Sequence, residues 1–135
     1  MQIELSKKEF RRLLDLVYIG NWVLNSLRKE DRFQDYDDVE SKLFALCQSH
    51  NMPALSEAWE DTWVPSRAFQ EGGIHQAIAY YEDAVFFDIL AEELSRRDMG
   101  YPEFTEENYA ELVRRMEQYM QEFEANGIDH LVLDT

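Results

Sequence analysis

The chain is poor in cross-linking, chain-breaking and basic residues. Its 135 residues include one cysteine, three prolines and five glycines, and only 13 lysines and arginines against 28 aspartates and glutamates. A single cysteine, Cys47, forms no internal disulfide, which excludes a disulfide-stapled scaffold and favours a reducing compartment. So few prolines and glycines leave no low-complexity tract and no obvious linker. No apolar run approaches the ~20 residues of a membrane span. The start, Met1-Gln2-Ile3-Glu4-Leu5, lacks the basic residues and apolar stretch of a secretory signal. The expectation is a soluble cytoplasmic protein. The shortage of positive charge, a net −15, argues against nucleic acid and anionic membrane as partners and for basic ones.

What is abundant is apolar and aromatic. Hydrophobic residues make up 45% of the chain, with eight Phe, seven Tyr and three Trp. Each aromatic can bury about 150–250 Å², so the acidic composition does not imply disorder. One domain spanning 1–135 is expected at this length.

The apolar residues follow helical spacing. Ser6 and Glu9 form a Ser-x-x-Glu capping box. The helix it opens carries Phe10, Leu13, Leu14, Val17, Tyr18, Trp22 and Leu27 on more than one face, which predicts a central helix packed on several sides. Gly20 inside it suggests close approach of a neighbour. After a polar loop from Arg28 to Tyr36, a second helix carries Val39, Leu43, Phe44 and Cys47 and ends near His50-Asn51. Pro53 to Trp63 reads as a short third helix with proline in its first turn, and 64–73 as a loop. Spacing resumes from Ile74 to Leu94, with Glu82-Asp83 as a junction between two segments. Thr105 caps a last helix striped by Tyr109, Leu112, Val113, Met116, Met120 and Phe123, and Asn126-Gly127 stops it. Ile3 and Leu5 alternate at one end, as do residues of Ile128–Leu133 at the other. The prediction is a mostly α (α+β) chain: a compact bundle of about five helices with a two-stranded ribbon pairing the N- and C-terminal strands.

Two segments carry a resemblance. Ile3-Glu4-Leu5 leading into Leu13 to Asn25, together with Tyr80 to Asp98 and its Glu-Asp-x-x-Phe-Phe-Asp-x-Leu-x-x-x-Leu core, resemble a group of small acidic bacterial proteins with no assigned activity. The resemblance covers about a third of the chain, carries packing motifs and implies no catalytic residue.

Chemical motifs are sparse. Cys47 and His50 form Cys-x-x-His, short of the three or four ligands of a zinc site. A buried thiol is the expected reading. The run Asp35-Tyr36-Asp37-Asp38-Val39-Glu40 lacks the glycine and the terminal glutamate of a calcium loop. Asp35 and Asp37 are expected to cap the second helix. No serine sits in a nucleophile elbow and no glycine-rich phosphate loop exists. No catalytic residue, metal or cofactor is assigned, and an enzyme is disfavoured.

The expected function is non-enzymatic: a protein-interaction or regulatory domain that offers an acidic surface to a basic protein partner. Asp35, Asp37, Asp38 and Glu40 are the candidate partner-binding residues. One alternative is a nucleic-acid mimic. Another is an enzyme or small-ligand binder with a pocket between helices, for which Asn21 and Asn25, four apart on an apolar helix, are the candidate pocket residues. The stripe of the last helix also allows a homodimer.

Overall fold

The computed structural model describes residues 1–134. The fold is mostly helical, with one two-stranded antiparallel ribbon. The chain divides into two compact units, Met1–Ile78 and Ala79–Thr135. The boundary falls inside helix α4 (His75–Asp98), so no linker composition marks it. Glu82-Asp83 is not a junction, because α4 runs through it unbroken.

In the first unit, α1 (Lys7–Asn25) opens on the capping box. Ser6 Oγ accepts from the Glu9 amide, and the Glu9 side chain accepts from the Ser6 amide. Phe10, Leu14, Tyr18, Asn21 and Asn25 are its buried stripe. The helix is not wrapped on several sides as its composition predicts. Leu16, Val23 and Leu27 lie on exposed faces. Gly20 admits no neighbour either, since a Cβ there would meet nothing within 4 Å. α2 (Gln34–Ala45) supplies Phe44, which meets Phe69 edge-on at 5.0 Å. Cys47, Met52, Ile74 and Ile78 complete this core.

The ribbon is where the prediction needs correction. Its strands are β1 (Ser56–Trp59) and β2 (Thr62–Pro65), paired Trp59 to Thr62 and Ala58 to Trp63. The predicted third helix is only a turn at Pro53–Leu55. The chain termini form no strands: Ile128–His130 is a turn and Leu131–Asp134 has no regular structure. A hairpin joined by Glu60-Asp61 closes a loop of two residues, whereas pairing the termini closes one spanning the chain, and closure entropy grows with loop length. Trp63 N–H donates to Ser41 Oγ at 3.1 Å, which fastens β2 to α2. The expected loop after the ribbon contains the short helix α3 (Arg67–Phe69), capped by Ser66, and a wide turn over Gln70–Ile74. Gly73 at φ 112° supplies the kink there, a conformation few other residues adopt.

In the second unit, α4 continues to Asp98, and α5 (Glu106–Asn126) is capped by Thr105 Oγ1, which accepts from the Asn108 amide at 3.2 Å. Gly127 ends α5 at φ 57°. Ala91, Ser95, Leu112 and Phe123 are buried, and Phe87 packs on Phe123 at 5.4 Å. Glu111 lies between Arg114 and Arg115, whose hydrogen bonds pull its pKa down to about 2. His130 Nδ1 lies 2.5 Å from Glu122 Oε1 and fastens the final turn to α5.

Candidate functional site

The buried stripe of α1 changes character at its C-terminal end, from Phe10, Leu14 and Tyr18 to Asn21 and Asn25. A buried amide is costly unless hydrogen-bonded, and these two are. Asn25, fully buried, donates to Asn21 Oδ1 at 2.7 Å and to the Phe33 carbonyl at 3.1 Å, and accepts from the Phe33 amide at 2.8 Å. Asn21 Nδ2 donates to Asp37 Oδ1 at 2.9 Å and to Glu40 Oε2 at 3.1 Å. The ladder therefore runs from the loop before α2, through α1, to two carboxylates on α2. Both carboxylate oxygens reach one nitrogen, so they are close neighbours.

Arg32 gives the two carboxylates different environments. Its guanidinium makes a two-pronged pair with Asp37, Nε to Oδ2 at 3.0 Å and Nη2 to Oδ1 at 2.8 Å, and donates to the Asn25 carbonyl at 3.3 Å. The Arg32 hydrogen bonds hold Asp37 below the usual carboxylate range. Glu40 has no such partner. Burial pushes its pKa up, helped by the neighbouring Asp37 charge and only partly opposed by the Asn21 amide and the Arg32 charge. Burial, with the nearby Glu40 charge, also raises the Tyr18 phenol.

Asp37 and Glu40 lie on the wall of a groove of about 700 Å³ in the first unit, bounded by α2 and the ribbon. Asp38 and Ser41 also line it from α2, and Glu57, Trp59, Glu60 and Trp63 line it from the ribbon. Tyr18 and Arg32 also line it. Five carboxylates thus share the groove with one guanidinium, itself already paired. Glu57 and Gln70 are shared with a second cavity of about 490 Å³ that includes Arg67, Glu71 and His75. Arg67 pairs with Glu71 at 2.7 Å. Tyr18 Oη lies 2.6 Å from His75 Nε2, and Trp22 meets the His75 ring edge-on at 4.9 Å.

Of the residues singled out from sequence, Asp37, Asp38 and Glu40 line the groove. Asp35 does not, and its Oδ1 accepts from the Tyr36 amide. Asn21 and Asn25 lie behind the wall as its support rather than on its surface. Neither Asp35 nor Asp37 caps α2. Phe33 holds the cap position without a side-chain bond, and both acids fall in the first turn, where a helix favours negative charge. His50 Nδ1 lies 2.8 Å from the Leu46 carbonyl, and Cys47 is buried, which raises its thiol pKa. Among the described residues no three His, Cys, Asp or Glu side chains are grouped to hold a metal ion.

Sequence reasoning missed Arg32 and the ribbon wall. Trp59 and Trp63, four apart, resemble a helical pair, and nothing local says that they lie on the two strands of a ribbon whose second strand is fastened to α2. Comparison of the chain with protein-family models, with curated proteins and with solved structures gives no match.

Proposed function

We propose that this chain is an interaction domain that captures a basic segment of a partner protein in the groove between α2 and the ribbon. One observation carries the reading: Glu40 is a half-buried carboxylate with no ion pair of its own among the described residues, in a groove where acids outnumber bases five to one and the single guanidinium, Arg32, is paired with Asp37. An incoming lysine or arginine relieves that imbalance and gains where it meets a tryptophan of the lining, since a cation over such a ring is worth about 0.5–2 kcal/mol. The acidic field around the groove speeds encounter with a basic partner. A cytoplasmic setting and kinship with the small acidic bacterial proteins fit this reading, as does a non-catalytic role. A concave groove suits a projecting cationic side chain better than it suits the mimicry of a phosphate backbone.

A second reading places a small cationic ligand in the same groove. It is favoured by the volume, which falls within the roughly 300–1,000 Å³ of small-molecule sites.

Calorimetric titration of the full chain with basic, neutral and acidic decapeptides tests the proposal. The expected result is binding of the basic peptide alone, weakened by added salt. Equal binding of all three, or of none, rejects it.

A further inference from the structure

We infer that a second copy of this chain covers the outer face of α1, with the two helices crossing antiparallel at Gly20. α1 carries two apolar stripes. One, from Phe10 to Asn25, faces the core. The other is Leu13, Leu16, Gly20, Val23 and Leu27, set at alternating steps of three and four residues, the spacing of a helix-pairing seam. Leu16, Val23 and Leu27 are 69%, 71% and 97% exposed. Exposed apolar residues scattered singly are ordinary, whereas a continuous run of them marks a contact surface.

The seam is complementary to itself. Gly20 is its midpoint, so a second α1 turned end over end sets Leu13 opposite the second copy's Leu27, and Leu16 opposite its Leu24. Leu27, in the turn just past the end of α1, projects as a knob. Leu5, Leu13 and Leu16 border an apolar groove of about 350 Å³ at the other end of the seam. A twofold axis through Gly20 seats each knob in the other copy's groove, the reciprocal contact of an isologous dimer. A Cβ at Gly20 would meet nothing within 4 Å, so two helices can cross there at the short end of the usual 8–10 Å. One added methyl leaves that crossing possible, and a long side chain does not.

Charge favours the same arrangement. Lys8 and Arg12 flank the N-terminal half of the seam. Antiparallel pairing brings them beside the second copy's C-terminal half, whose last turn holds no basic residue and whose carbonyl end attracts cations. A parallel pair would instead set these cations against their own copies. The last helix is less suited to self-pairing, because Glu92, Glu117 and Glu124 flank its apolar groove and like charges across a contact are costly. One helix per copy makes a contact below about 1,200 Å², so a dissociation constant of roughly 10–100 μM is expected.

The test is sedimentation equilibrium of the full chain across roughly 1–500 μM, a range that spans the expected constant. The proteins are the wild type, Leu27→Ser, Gly20→Gln and, as a control on exposed Ile89 of α4, Ile89→Ser. Leu27 is exposed and Gly20 has open space around it, so both α1 variants keep the fold, which circular dichroism checks. The mass is expected to climb from 16.1 kDa towards twice that for the wild type and Ile89→Ser. Leu27→Ser and Gly20→Gln should weaken association by about tenfold or more, since burying one leucine is worth that much. Under mild oxidation Gly20→Cys should join to itself, because the crossing brings the two cysteines within disulfide reach. Leu27→Cys should not, its two copies lying about 20 Å apart along the helix axes. Cys47 is buried, and the wild type serves as the blank. A wild type that stays at 16.1 kDa throughout overturns the dimer, and flotation of that monomer with anionic vesicles assigns the face to lipid instead. Association unaffected by the two α1 changes, or Leu27→Cys joining as readily as Gly20→Cys, overturns the antiparallel crossing.

Discussion

Asn21 and Glu40, nineteen residues apart in sequence, share a hydrogen bond of 3.1 Å that joins the buried stripe of α1 to the wall of the groove. Through Asn25 the same ladder reaches the backbone of Phe33 and fixes where α2 begins. The groove and the fold of the first unit therefore depend on the same polar contacts.

Asn25→Ala tests that dependence. It removes three hydrogen bonds and leaves Asn21 Oδ1 and the Phe33 amide without partners. Each buried group left unpaired costs about 1–3 kcal/mol, so the variant should lose about 3 kcal/mol in urea denaturation. A loss below about 1 kcal/mol shows that water replaces the ladder at little cost.

Gly20→Ala should act in the opposite direction. The position is inside α1, and a methyl group there touches nothing. Alanine is favoured over glycine in a helix interior by about 1 kcal/mol, and it also restricts the unfolded chain. Thermal denaturation should show a Tm raised by about 3 °C. A lowered Tm indicates that something packs against Gly20 after all.

Glu60 at φ 53° holds a left-handed turn conformation at the tip of the ribbon, which costs a residue with a side chain about 1 kcal/mol or more. Glu60→Gly relieves that strain and should stabilise the fold by about 1 kcal/mol. It also removes one of the groove's carboxylates, so basic peptides should bind severalfold more weakly. Measuring melting and affinity on the same preparation checks both. A variant that is less stable contradicts the strain, and unchanged affinity contradicts a role for this acid.

The acid pair sets the pH dependence. Burial raises the Glu40 pKa above its ordinary 4.5, so the folded chain holds that proton more tightly than the unfolded one. Glu40 therefore subtracts stability as pH rises from 4.5 through its folded value. Asp37 is held below its ordinary 3.8, chiefly by Arg32. It contributes stability above 3.8 that is lost as pH falls through its folded value. Relative to wild type, Glu40→Gln should thus become progressively more stable as pH climbs above 4.5. A cation seated at Glu40 favours its charged form, so basic peptides should bind more tightly over the same rise and release a proton on binding. Denaturation across pH, with calorimetry in two buffers of different ionisation enthalpy, reads both. Parallel stability curves for the two proteins, with no proton release, contradict the assignment.

What was legible in the sequence was local chemistry. The Ser6–Glu9 box, the Thr105 cap and the Gly127 stop depend on residues within a few positions of one another, and each forms as read. The ribbon was not legible. Its turn is Glu60-Asp61, not the Asn-Gly or Asp-Gly that marks a hairpin, and tryptophans four apart imitate a helical face. The alternation of Ile3 and Leu5, or of Leu131 and Leu133, is too short to specify a pairing partner, and all four remain exposed. The site was half legible. Asn21 and Asn25 stood out as polar residues on an apolar stripe, and Asp37, Asp38 and Glu40 as a local excess of charge. That the asparagines join Asp37 and Glu40 in one network depends on how α1 meets α2, which no local pattern encodes. The position of Arg32 depends on the loop before α2, where Arg28 pairs with Asp31 and lies over the Phe33 ring at 4.1 Å.

The most direct measurement is nitrogen-15 NMR of the labelled full chain during titration with the basic decapeptide. Graded shifts are expected at the Trp59 and Trp63 indole N–H signals and at the Asn21 side-chain amide, with residues of α5 unmoved. Shifts confined to α5, or a spectrum unchanged at saturating peptide, contradict binding in the groove.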